Sequence, residues 1–177
     1  MTAMDSIFSR RSIRSYTGEA PSKEEIKQIL DSCYAAPVGM GRYDSLHITV
    51  VRDRAYLCDL EAEAGKQLGK ENYHPLYGAP VLLIFSSVFP GIPTDNSSYS
   101  NCAILAENAA LAAVELGLGT CHIWDAIRAL NKAPALLEKL RLPEGFAPCC
   151  AVTLGKTQET YAPRSVIDGR IATSFME

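Results

Sequence analysis

Apolar residues recur along this chain at several distinct spacings, and each spacing predicts a different element. Ser22 and Glu25 form the Ser-x-x-Glu pattern that satisfies two orphan amides at a helix start. Ile26, Ile29, Leu30 and Cys33 follow at helical intervals. The helix is predicted to end near Pro37, because a residue before proline is pushed out of the helical region. Asp5 is the expected cap of a shorter helix over residues 6–10. Leu57, Leu60, Ala64 and Leu68 share one face of a predicted amphipathic helix over residues 53–68. Residues 99–116 are apolar on nearly every side, which predicts a helix in the middle of the protein, stopped by Gly117.

Alternation of apolar and polar residues predicts a strand at 46–51, and the unbroken apolar run 81–85 after Pro80 predicts a buried central strand. Residues 149–154 predict another buried strand, and 119–124 a short strand or extended turn. Two short helices are expected near 127–131 and 134–140. Loops are expected at 38–44, at 75–80 and, flexible, at 89–98, and a polar irregular tail from Gly155. This order lacks the regular strand–helix alternation of a doubly wound sheet. It predicts an α+β arrangement in three layers, in one domain over residues 1–177.

Composition narrows the function. With 47% hydrophobic and 21% charged residues, 12 Gly and 10 Pro among 177, disordered and collagen-like chains are excluded. A formal charge of −3 argues against a freestanding nucleic-acid binder, which needs a positive excess to neutralise phosphates. Residues 1–12 hold no apolar stretch of signal-peptide length, and no run approaches the ~18 apolar residues of a membrane span. The six cysteines are scattered with no C-x-x-C pair, and His47, His74 and His122 form no metal-ligand spacing with them. A cytoplasmic protein with reduced cysteines and no bound metal is expected.

No phosphate-binding glycine loop is present. What remains for an anion is Arg10, Arg11 and Arg14, with Ser12 as a hydroxyl donor, since guanidinium forks bind phosphate oxygens in pairs. On spacing alone a solvated basic surface is equally open. Cys149 and Cys150 point to opposite faces of a strand and read as packed hydrophobes, and His122 is a ligand contact or a core residue. No acid–base or nucleophile constellation stands out, so no catalytic side chain is assigned. Such a chain suggests that a cofactor carries the chemistry.

Five motifs in order resemble the flavin-dependent nitroreductase family. They are Arg10-Arg11-Ser12-Ile13-Arg14-Ser15-Tyr16, Ala35-Ala36-Pro37, Tyr77-Gly78-Ala79-Pro80, the helix from Ala106 to Ala113 with its Gly117-Leu118-Gly119-Thr120-Cys121 ending, and Leu142-Pro143-Glu144-Gly145-Phe146 through Leu154-Gly155. The resemblance implies a three-layer α-β-α fold with a mixed, mostly antiparallel sheet around a central apolar helix. It implies FMN at a homodimer interface, with the arm from about residue 156 embracing the partner subunit. By match, Arg10, Arg11, Ser12 and Arg14 would meet the flavin phosphate, ribityl chain and pyrimidine edge, and Arg164 the same phosphate. Backbone groups of His122, Ile123 and Trp124 would lie along the isoalloxazine. The loop carrying Val38, Gly39, Gly41 and Tyr43 would reach across from the partner.

The implied activity is FMN-dependent reduction of a nitroaromatic, quinone or enone by NADH or NADPH, in ping-pong order. Tyr43 and Trp124 stand where rings would stack on a planar acceptor. In that loop this chain departs from the family pattern P-S-x-x-N-x-Q-P-W, because Gly41 and Tyr43 replace the hydrogen-bonding Asn and Gln. Asp125 also stands where a small residue is common. A flavin-binding carrier, sensor or partner-binding module without turnover is the alternative.

Overall fold

The last strand in sequence takes an inner place in the sheet. The computed structural model describes residues 2–89 and 96–177. Strands β1 (Leu46–Val51), β2 (Val81–Val88), β3 (Leu118–Ile123) and β4 (Phe146–Lys156) lie in the order β1-β2-β4-β3. All three pairings are antiparallel, with Val50 opposite Leu83, Leu83 opposite Val152, and His122 opposite Val152. The described sheet is therefore uniformly antiparallel where a mixed one was expected.

The unbroken apolar run of β2 is explained by burial on both faces. Val81, Leu83 and Phe85 pack with Ile26, Ile29 and Cys33 of α2 (Lys23–Tyr34) and with Cys102, Leu105 and Ala109 of α4 (Ser97–Glu115). The alternate residues Leu82 and Ile84 face Leu57 and Leu60 of α3 (Arg54–Leu68), Ile127 and Leu130 of α5 (Asp125–Leu130), and Leu136 of α6 (Pro134–Lys139). Helices thus cover both faces, giving the three layers. Among the described residues no helix is long and apolar enough to cross a membrane.

Helix starts follow local hydrogen-bond chemistry. Ser22 Oγ accepts the Glu25 N–H at 3.1 Å while Glu25 Oε2 accepts the Ser22 N–H at 2.7 Å, as its sequence pattern predicted. The first helix, α1 (Ala3–Ser9), corrects an expectation: Thr2 is its cap, and Asp5 is the third helical residue that returns the bond. Helix α4 starts two residues earlier than predicted. It lies against one face of the sheet with α1 and α2 beside it, leaving Ala103 and Ile104 exposed. The loop at 38–44 contains two short 3₁₀ turns, Gly39–Gly41 and Tyr43–Ser45. Strand β4 runs past its predicted ends in both directions. Most of the flexible loop expected at 89–98 lies outside the described residues.

Two glycines let the N-terminal segment reach the sheet. Ile13, fully buried, donates its N–H to Thr120 O at 2.7 Å, and a Cβ on Gly119 would sit 2.8 Å from Ile13 Cγ2. A Cβ on Gly155 would lie 2.6 Å from Pro80 Cδ and 2.9 Å from Tyr16 Cδ1. Tyr16 spans between them, its hydroxyl donating to Ile13 O at 3.0 Å and lying 2.7 Å from Thr153 Oγ1.

The chain after β4 then returns along this segment in the opposite direction. Thr157 Oγ1 donates to Ser15 O, Arg11 Nη2 donates to Thr160 O, and Arg164 donates from both its backbone and Nε to Phe8 O. The tail was expected to be irregular from Gly155; Gly155 and Lys156 instead end β4, and residues 157–177 hold no helix or strand. Residues 157–164 are nevertheless tied in register to residues 8–15.

Candidate functional site

This antiparallel return brings the first and last arginine motifs together. Arg10 Nε lies 3.1 Å from Glu107 Oε1, and the Arg164 guanidinium also acts electrostatically on that carboxylate. The second carboxylate oxygen, Oε2, meets His122 Nε2 at 3.0 Å. Glu107 comes from the middle of α4, His122 from β3, Arg10 from the N-terminal segment and Arg164 from the tail. Burial pushes the Glu107 carboxyl up, but the His122 hydrogen bond and the charges of Arg10, His122 and Arg164 outweigh it, so its pKa is held below the ordinary glutamate range.

Arg11 turns toward the tail. Its guanidinium reaches Thr160 O and lies 5.9 Å from the Tyr161 ring centroid, and its Nε is buried with no hydrogen-bond acceptor among the described residues. Tyr161 donates to Leu118 O at 2.7 Å, and its pKa is pushed up to about 12, chiefly by burial, against the opposing charges of Arg11 and Arg10. Tyr161 thus feels both arginines. Ser12, half-buried, makes no side-chain hydrogen bond among the described residues.

Arg14 does not join this group. Its guanidinium stands 5.6 Å from the ring centroid of Tyr77, and the Tyr77 side chain raises its already high pKa further. Tyr77 holds a left-handed backbone at φ 56°, uncommon for an aromatic residue. The loop presenting it is pinned by Leu76 N–H on Glu61 Oε1 at 3.0 Å and by the Tyr73 hydroxyl on Asp125 Oδ2 at 2.7 Å. Tyr73, Pro75 and Tyr77 form one wall of a cleft of about 210 Å³, and His122, Ile123, Trp124 and Asp125 form the other. Asp125 narrows this cleft by bonding Tyr73 across it. Trp124 presents much of its ring to solvent, 57% exposed, whereas Ile123 is buried.

His122 is therefore shared, lining the cleft and bonding the carboxylate that holds Arg10. Guanidinium groups can bind anion oxygens in pairs, and here Arg10 and Arg164 both act on Glu107, whose other oxygen meets the cleft-lining His122.

The loop carrying Val38, Gly39, Gly41 and Tyr43 lies elsewhere. Gly39 N–H donates to Asn101 Oδ1 at 3.1 Å, and the Tyr43 hydroxyl donates to Ala36 O at 3.2 Å. Asn101 precedes Glu107 by six residues on α4, a rise of about 9 Å, and among the described residues no hydrogen bond or ion pair joins the loop to Arg10, Arg11, Arg14 or Arg164.

Sequence reasoning overlooked Glu107 and gave Tyr77 and Tyr161 no role. A signal for Glu107 existed, because it is the sole acid of α4 before the terminal Glu115.

Residues 7–156 match the family model described as the nitroreductase family. A provisionally named NADH dehydrogenase/NAD(P)H nitroreductase of Archaeoglobus fulgidus is 32% identical over 153 residues, covering 84% of this chain and 82% of that protein. The FMN reductase [NAD(P)H] of Bacillus subtilis is 27% identical over 177 residues, covering 90% of this chain and 67% of that protein. The crystal structure of a nitroreductase with bound FMN from Desulfitobacterium hafniense superposes with a TM-score of 0.84 at 27% identity, each chain covered in full. Because the matched span runs from beside Arg10 to the end of β4 and the same fold holds throughout, this chain belongs to the nitroreductase family.

Proposed function

We propose that this chain is an FMN-dependent oxidoreductase that takes electrons from NADH or NADPH and passes them to a small acceptor, a nitroaromatic, quinone or enone, in ping-pong order. The observation that carries this reading is the meeting of Arg10 and Arg164 beside the cleft lined by His122, Ile123 and Trp124. The residues fit a phosphoester: Arg10 and Arg164 both act on Glu107, Arg10 and Arg11 both act on Tyr161, and among the described residues Arg11 Nε is a buried donor without an acceptor.

In this reading Arg10, Arg11, Ser12 and Arg164 hold the phosphate and ribityl hydroxyls. Arg14, braced on Tyr77, meets the pyrimidine edge, and the backbone of His122, Ile123 and Trp124 lies along the ring. FMN, when bound, supplies the two-electron chemistry. The protein contributes charge at the phosphate, aromatic walls, and a cleft narrowed by the Tyr73–Asp125 bond.

The functional unit in this proposal is a homodimer in the cytoplasm. Val166, Ile167, Ile171, Phe175 and Met176 are all more than two-thirds exposed on the tail beyond Arg164, consistent with an arm that covers a second copy. The loop at Val38, Gly39, Gly41 and Tyr43, apart from its own chain's arginines, would complete the partner's site. All six cysteines are unpaired, in keeping with a reducing compartment.

The test is the visible spectrum of the purified protein, recorded without oxygen before and after NADH or NADPH. A flavin spectrum that bleaches supports the enzyme. The second reading, a flavin-binding module without turnover, is favoured by the Tyr43 hydroxyl being spent on Ala36 O. A flavin spectrum that stays oxidised would establish it, and a colourless protein that takes up no added FMN would reject both.

A further inference from the structure

We propose that Glu107 is a positioning residue for the cofactor phosphate: it pairs with Arg10 on the Nε side and so turns the outer guanidinium nitrogens toward the phosphoester, while its other oxygen ties this arrangement to His122 at the cleft. The inference rests on the functional reading above and extends it to a residue on a different element.

Three observations carry it. First, Glu107 is a half-buried acid in an alanine-rich helix, where a carboxylate is unfavourable unless paired. Second, its partners converge from three other parts of the chain: Arg10 at 3.1 Å, His122 at 3.0 Å, and Arg164 through its field. Third, the ion pair with Arg10 is made on the Nε side of the guanidinium. Guanidinium carries five N–H groups, and the four on Nη1 and Nη2 remain for a forked bond to phosphate oxygens.

A carboxylate beside a phosphate site also repels the ligand, so the two effects must be weighed. Arg10 and Arg164 together outnumber Glu107 in charge, leaving this group of side chains positive. The Glu107 side chain is 45% exposed, which screens its repulsion. An untethered arginine instead spreads over many rotamers, and screening does nothing to restore its orientation. Orientation therefore prevails, and removing Glu107 weakens phosphate binding.

The experiment titrates flavin-free protein with FMN and, separately, with riboflavin, which lacks the phosphate, following quenching of flavin fluorescence. Glu107→Ala is expected to weaken FMN about tenfold while leaving riboflavin within about twofold. Glu107→Gln, which keeps the size of the side chain but not the charge that pairs with Arg10, should show most of the loss. In an Arg10→Ala background the Glu107→Ala effect should disappear, because the tethered group is gone. Thermal melts of each variant separate a folding defect from a binding one. Equal or tighter FMN binding by Glu107→Ala, or equal losses for both flavins, overturns the proposal. Wild-type protein that binds neither flavin overturns the functional reading and this role with it.

Discussion

Ile13 rests directly on the backbone of Gly119, with its Cγ2 only 2.8 Å from where a Cβ would stand. The same segment carries Arg10, Arg11 and Arg14, so the missing side chain at 119 sets how closely all three approach the sheet. Gly119→Ala should force Ile13 outward and cost about 1–3 kcal/mol as overpacking. Urea denaturation measures it, and an unchanged midpoint would show that Ile13 shifts freely.

Arg14 is braced on an aromatic ring rather than grouped with the other arginines. Arg14→Ala should weaken FMN binding by about 1.5–3 kcal/mol, the usual range for a charge-assisted bond. A flavin titration of that variant with unchanged affinity rejects its place at the cofactor.

Glu25 closes two contacts at once, capping α2 and meeting Lys156 Nζ at 2.5 Å from the end of β4. The Lys156 hydrogen bond first, and the Ser22 backbone N–H second, hold its pKa below the ordinary 4.5. A carboxyl lowered in the folded state stabilises the fold fully above its unfolded-state value and loses that contribution as pH falls through the lowered folded value. Stability should thus decline below about pH 4.5, and Glu25→Gln should flatten that decline. Denaturation midpoints collected from pH 7 to pH 3 check the slope.

Deleting residues 165–177 should leave the monomer fold intact, because the Tyr161, Thr160 and Arg164 contacts to the body remain. It removes the exposed apolar side chains of the arm. Light scattering should find a dimer for the full chain and a monomer for the truncated one. A truncated chain that still dimerises would move the interface away from the arm.

Ser22 to Cys33 was legible because capping and apolar spacing are local, and the run at 81–85 because burial on both faces leaves no polar alternation. The cap of α1 was misread: Thr2 and Asp5 both suit helix starts, and only the reciprocal bond tells cap from third residue. Arg10 and Arg164 could be named from motifs, but their meeting depends on a tail that retraces residues 8–15, which no local pattern encodes. Glu107 was overlooked because a single acid on an apolar helix looks like surface until its partners arrive from β3, the N-terminal segment and the tail.

The placement of β4 between β2 and β3 has a consequence for how the protein is made. Synthesis runs from the N-terminus, so β1, β2 and β3 all leave the ribosome before the strand that joins β2 to β3 exists. Until Phe146 and its successors emerge, β3 has no neighbour in the sheet and the arginine segment has nothing complete to rest on. Assembly of this molecule is consequently a late event, governed by long-range closure rather than by growth from its first helices.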